Sequence, residues 1–297
     1  MLWQQPLPRT YTQTDESALS EAIEARRAEL GDRVVILGHH YQQDAVIAHA
    51  DFTGDSFKLS QLAAEKVQQV GAEHVIFCGV HFMAESADIL TPESVTVTLP
   101  DLGAGCSMAD MATADDVALA WDQIQQAMDR VEEPVRVVPV TYMNSSAAIK
   151  AFVGRHGGAV CTSSNARGVL DWAYAGGDRP LAKGERVVVL FLPDQHLGRN
   201  TAAEMGYDVD RQMCVWDPKT AEPLGGNDEQ SIQKAAIILW KGHCSVHKLF
   251  RPEHVDQARA ADPDIRVIVH PECDHAVVLK SDLTGSTEQI IKQIDSS

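Results

Sequence analysis

The sequence is short of basic charge, of aromatic rings and of long apolar runs, and each shortage removes a class of function. Lys and Arg number 25 against 42 Asp and Glu, a formal charge of -17. That balance excludes non-specific binding to nucleic acid or to an anionic membrane, both of which need a basic surface. It leaves an anionic substrate open, because a closed site makes its own field from backbone N–H groups and helix ends. Aromatics make up 6% of the residues, so the core is expected to be aliphatic. No stretch approaches the roughly 18 apolar residues of a membrane span. The opening MLWQQPLPRTYTQTDES lacks the basic and then apolar regions of a signal peptide. A cytoplasmic setting is therefore expected, with the six cysteines reduced. No C-x-x-C pair, low-complexity segment or short-period repeat is present.

What the chain does have is alternation. Near-continuous apolar runs at 33–37, 74–80, 95–99, 135–142, 159–161, 186–192, 213–216 and 266–270 read as strands. Runs of this kind mark parallel strands buried on both faces. Between them, helical periodicity covers 16–30, 56–70, 115–131, 147–153, 166–175, 228–239 and 252–261, with a further helix at 288–294. Strand–helix alternation of this form gives right-handed βαβ units and an α/β fold. The strands fall in clusters rather than eight even units, which favours three small lobes over the alternative, a (β/α)₈ barrel. We place the lobes at 1–113, with an N-terminal extension, at 114–205 and at 206–297. The segment 193–243 is long and has no assigned role.

Ligands in α/β folds collect beyond the carboxyl ends of the strands. The segments delivered there are Gly38-His39-His40-Tyr41, HFMAES, TYMNSS, TSSNA, PDQHLG and HPEC. Six polar strand ends describe a lined active site, although Ser145, Ser163, Ser164 and Asn165 are equally well read as helix caps. GDS at 54–56 and GST at 285–287 each open a helix, and each offers free N–H groups to a phosphate or carboxylate. Cys106 and Cys244 lie in glycine-flanked loops, whereas Cys78, Cys161 and Cys214 read as packing. Single thiolates far apart in sequence still suffice for a [4Fe–4S] cluster if three of them meet, leaving one iron open.

The motifs ILGHHYQ, ADFTGDS, GCSMADM, TYMNSSAAIK, CTSSNA, LPDQHLG, GHCSVH, VIVHPEC and GST occur in the order seen in the quinolinate synthase family. The chain resembles that family from about Val34 to its last residues. The resemblance implies three related three-layer αβα lobes with short parallel sheets around a pseudo-threefold axis. It implies a central [4Fe–4S] cluster held by one cysteine from each lobe. The implied reaction condenses 2-iminosuccinate with dihydroxyacetone phosphate to quinolinate, with release of phosphate and water, for NAD synthesis. A functional link to L-aspartate oxidase is implied, and no nucleic-acid or membrane partner. On the family's pattern His39 and Tyr41 are the catalytic pair of the first motif, with His40 at the variable position. Ser56, Tyr142, Asn144, Ser163, Ser286 and Thr287 bind substrate, with Tyr142 also catalytic. His270 and Glu272 form an acid–base pair, Cys106 and Cys244 are cluster ligands, and His247 follows the second. The family's third cluster cysteine lies in a CPxM motif downstream of GST that this sequence does not contain. The expectation is a chain cut short or a variant without that segment, and Cys273 in HPEC is not the family's usual ligand, so that only full activity of this chain would point to it as the third.

In this reading Glu272 is the general base, His270 and His39 move protons near neutral pH, and Tyr41 and Tyr142 hydrogen-bond developing oxyanions. The open iron acts as a Lewis acid. Two rivals remain: a zinc-dependent hydro-lyase or aldolase using Cys106 or Cys244 with histidines, and a cluster-free paralogue that only binds dicarboxylates.

Overall fold

The computed structural model describes residues 4–296, which form two compact units, Met1–Cys106 and Ser107–Ser297. Every strand pairing among the described residues is parallel.

The first unit holds β1 (Val34–His39), β2 (Phe52–Gly54), β3 (His74–Cys78) and β4 (Thr96–Thr98), in the order β2-β1-β3-β4. β1 is central and buried from Val35 to His39, which is why its sequence is apolar until it reaches the histidine. The helix Ser56–Val70 buries Leu59, Ala63 and Val67, a stripe at four-residue spacing that covers this sheet. Asp55, not Ser56, caps it, accepting from Lys58 N at 2.8 Å. Gly71 ends it with a φ of 72°, the left-handed geometry that favours glycine.

The second unit carries β5 (Val135–Tyr142), β6 (Ala159–Cys161), β7 (Arg186–Leu192), β8 (Met213–Trp216) and β9 (Ile237–Trp240), in the order β6-β5-β7-β9-β8. Side chains alternate along a strand, and β7 shows what each face meets. Val188, Leu190 and Leu192 join Ile124, Ile149 and Phe152 from the helices Ala114–Met128 and Ala147–Arg155. Phe191, on the opposite face, lies with Leu239 under the helix Gln195–Glu204, where a side chain at Gly198 would strike both. Helices thus cover the sheet on two sides, giving three αβα layers. Trp240 is fully buried, and its indole nitrogen donates to Met111 O at 2.8 Å. A short parallel pair, β10 (Ile268–Val269) and β11 (Leu283–Thr284), completes the unit over a small cluster of Val255, Cys273 and Val277.

Several expectations change. The helix read across 228–239 stops at Lys234, and Ile237–Trp240 becomes β9. All four residues of β9 are buried between β7 and β8, and an apolar run of that length has no period to separate strand from helix. The division drawn at 205/206 runs through this sheet, because β8 and β9 hydrogen-bond back toward β7. The closed barrel is excluded, since β6 and β8 are sheet edges. HFMAES and the QHLG of PDQHLG, read as polar strand ends, are the starts of the helices His81–Leu90 and Gln195–Glu204. Among the described residues no helix is long and apolar enough to cross a membrane.

Candidate active site

In the second unit, the strand ends and the segments beyond them bring together Tyr142, the last residue of β5, Asp194 after β7, Cys244 and His247 after β9, and His270 and Glu272 after β10. Glu272 is 3% exposed, and its Oε2 lies 2.9 Å from His247 Nδ1. His270 stacks on His247 with ring centroids 4.6 Å apart, its Nδ1 3.8 Å from Glu272 Oε1. The Tyr142 hydroxyl hydrogen-bonds both Glu272 and Ser163. Burial alone would raise the Glu272 carboxyl. The hydrogen bond from His247, the nearby imidazole charges and the Tyr142 hydroxyl overcome it and lower the group to about 2. Burial alone would likewise lower His247. Hydrogen bonds and charge from Cys244 and Glu272 raise it instead, to about 10. At neutral pH the pair is therefore imidazolium and carboxylate. Burial, then the Glu272 charge, hold Tyr142 well above its ordinary range, so it remains a neutral donor.

His270 and His39 share one local device. Glu272 N donates to His270 Nδ1 at 3.3 Å, and in the first unit Tyr41 N donates to His39 Nδ1 at the same distance. A ring whose Nδ1 accepts carries its proton on Nε2. Burial pushes both down to about 4, assisted at His39 by the charge of His40 and at His270 by that of His247. Each is a neutral imidazole that offers an Nε2–H. Tyr41 is 72% exposed, its ring edge toward His39 at 4.7 Å between centroids.

The remaining expected residues divide. Ser56 is half-buried at the first position of its helix, and Asn144 is half-buried just past β5. Ser163 and Ser164 do not cap: Asn165 closes that turn instead, its Oδ1 accepting from Thr162 N at 2.7 Å. Both serines line a cavity of about 590 Å³ with Asn200, His275, Thr284 and Gly285. Ser286 is buried at the head of the helix Thr287–Asp295, in a capping box where its N donates to Gln289 Oε1 at 2.8 Å, and a helix start of this kind suits an anion. Thr287 follows it, half-buried. Ser145 is structural: its hydroxyl donates to Tyr142 O at 2.8 Å and accepts from Thr141.

Sequence reasoning gave no role to Asp194, His196, Asn200 or Asp274. Asp194 is fully buried and accepts from His196 N and Leu197 N at 3.0 and 3.2 Å. The PDQHLG strand end contains the first two, and Asn200 stands one helical turn after His196.

The cysteines separate by environment. Cys161 and Cys214 are buried in strands, and burial raises both thiols, Cys214 to about 12. Cys273 is buried and raised to about 11. Cys106 and Cys244 are half-buried in loops, and Cys244 hydrogen-bonds the His247 ring. The donors of Cys244, His247 and Glu272 all lie within 4.8 Å of one another. This chemistry fits a metal or an iron–sulfur group at Cys244.

A buried carboxylate–imidazolium pair beside a thiol, beyond the ends of parallel strands, is the arrangement of a candidate active site whose donors could hold a metal. The family model for quinolinate synthetase A protein matches residues 21–297. The chain is 55% identical to a quinolinate synthase of Nocardioides sp. over 98% of its length and 71% of that protein's. It is 51% identical to one from Corynebacterium glutamicum, covering 99% of this chain and 70% of that one. It is 46% identical to one from Bacillus subtilis, covering 98% and 73%. The chain belongs to the quinolinate synthetase A family.

The shifted histidines set a pH dependence. His39 and His196 hold folded pKa values of about 4 against an ordinary 6.5, both chiefly through burial. Between those values the unfolded chain binds protons that the folded chain refuses, so stability falls as pH drops from 6.5 toward 4. Urea midpoints should fall across that window, and His39→Gln and His196→Gln should each flatten the decline. An unchanged slope in both variants would contradict these values.

Proposed function

We propose that the protein condenses 2-iminosuccinate with dihydroxyacetone phosphate to give quinolinate, phosphate and water, as a step toward NAD. The observation that carries this reading is the buried Glu272–His247 pair beside Cys244 in a chain of this family. A [4Fe–4S] cluster, held in part by Cys106 and Cys244, would supply a Lewis acid that polarises a substrate oxygen. His247 enters the reaction protonated and delivers that proton to a leaving oxygen. Glu272 then loses the facing charge, while the Nδ1–H hydrogen bond remains because the proton leaves from Nε2, and burial gains weight in its basicity. The carboxylate is thus weakly basic at rest and more basic after His247 has acted, when it removes a carbon-bound proton next to the imine or carbonyl. Tyr142, a neutral donor between Glu272 and Ser163, hydrogen-bonds a developing oxyanion. His270 and His39 present Nε2–H groups to substrate carbonyl or carboxylate oxygens rather than accepting protons from them, with Tyr41 beside His39. Ser56, Asn144, Ser163, Ser286 and Thr287 hold the phosphate and carboxylates.

The same proposal keeps a three-lobed fold, its second lobe carrying all five strands from Val135 to Trp240. It places the enzyme in the cytoplasm. Because the imine substrate hydrolyses in water, a working link to L-aspartate oxidase as its source belongs to the reading. A second reading has one observation in its favour: sulfur, nitrogen and oxygen donors within 4.8 Å also suit a single zinc ion with an open fourth position. Colour separates the two, since zinc protein is colourless and cluster protein brown.

Two experiments test the proposal. Cys106→Ala and Cys244→Ala should abolish the broad iron–sulfur absorbance of anaerobically reconstituted protein, while Cys161→Ala and Cys214→Ala should keep it. Full iron and sulfide in Cys244→Ala would refute the ligand assignment. Glu272→Gln keeps the shape of the side chain but cannot accept a proton, and should lower turnover by about 10²–10⁴-fold, the range for a lost general base. Turnover near the parent rate would take the base role from Glu272.

A further inference from the structure

The helix Gln195–Glu204 turns one polar face toward the segment that carries His270 and Glu272. Asn200, 5% exposed, uses its whole amide there. Its Nδ2 donates to Pro271 O at 2.8 Å and to Cys273 O at 2.9 Å, the carbonyls on either side of Glu272. Its Oδ1 faces His275 Nδ1 at 2.7 Å. One turn earlier, His196 Nε2 lies 3.0 Å from Asp274 Oδ1, and Lys248 Nζ reaches the same oxygen at 2.8 Å. Lys248 adjoins His247. One helix face therefore holds both loops of the ion pair, the Glu272 side through Asn200 and the His247 side through Asp274 and Lys248. Asp194 fixes the start of that helix with its two backbone hydrogen bonds.

No other side chain of this size meets the same demand. Two carbonyls facing one side chain need two donors, and an amide nitrogen has two. Aspartate would set charge against both carbonyl oxygens, and leucine would leave two buried acceptors unpaired. The backbone on each side of Glu272 is pinned, and the carboxylate's direction follows from it. We propose that Asn200 is a positioning residue for Glu272, the fixed support that keeps its carboxylate aligned with His247 and with the substrate carbon. This rests on the reading of Glu272 as the base.

The test uses the reconstituted full chain with Asn200→Ala, Asn200→Asp, Glu272→Gln and the double variants. Asn200→Ala should lower kcat by about 10- to 100-fold with little change in KM, the scale of loss that a displacement near 1 Å produces. In the Glu272→Gln background the same change should cost nothing further, because the group it positions is already gone. Losses that multiply would overturn the proposal, since a merely structural asparagine would add its cost to any variant. Peptide-resolved thiol alkylation reads the tether without turnover. Cys273, 2% exposed, should label faster in both Asn200 variants, while Cys161 in β6 stays protected as the control for folding. Unchanged labelling of Cys273, or equal exposure of Cys161, would also overturn it. If Asn200→Ala does not fold, Asn200→Asp, of nearly equal volume, carries the same comparison. A parent rate in Glu272→Gln would instead overturn the base assignment, and with it the role given to Asn200.

Discussion

The second unit is organised around a carboxylate taken out of water. Glu272 is 3% exposed, and an unpaired ion at that depth would cost several kcal/mol. The surrounding residues answer that cost with opposite charge and with hydrogen bonds. His247 supplies the charge at 2.9 Å, Tyr142 adds a hydroxyl, and the backbone on both sides is held by Asn200. Removing one partner from such a pair typically costs about 3–5 kcal/mol, because the other charge is then left buried alone. This arrangement adds little net stability over an apolar alternative. Its value is chemical, since burial and pairing push the two pKa values in opposite directions.

That opposition gives each ring and carboxylate its role. His247, raised to about 10, keeps a proton at neutral pH, while His270, stacked on it and lowered to about 4, has none to spare. Two imidazoles 4.6 Å apart are therefore held in different protonation states, one charged and one neutral. The same backbone contact at His39 shows that the first unit builds a neutral donor by the same local means.

Much of this was legible in the sequence, and the rest was hidden for identifiable reasons. Strands buried on both faces show as unbroken apolar runs, and β5 and β7 were readable to the residue. The same property concealed β9, whose four apolar residues continue a helical pattern without a turn signal. β2 and β11, at three and two residues, are too short to leave a period. His270 and Glu272 were visible because a strand end and a family motif coincide there. The support of Glu272 was not: Asn200 lies 73 residues from Cys273, and in sequence it is one polar residue in a polar helix. Ser145 and Ser163 look alike along the chain, yet the first is bonded into the backbone after β5 and the second lines a cavity.

The central claim is that Glu272 is ionised in a place where burial alone would protonate it. Infrared spectroscopy of protein with isotopically labelled glutamate, compared with Glu272→Gln at neutral pH, reads its state directly. The account predicts that the variant loses a carboxylate stretch and leaves the carbonyl region of protonated acids unchanged. Loss of a protonated-acid carbonyl band instead would show that Glu272 is neutral and that the ion pair with His247 does not exist.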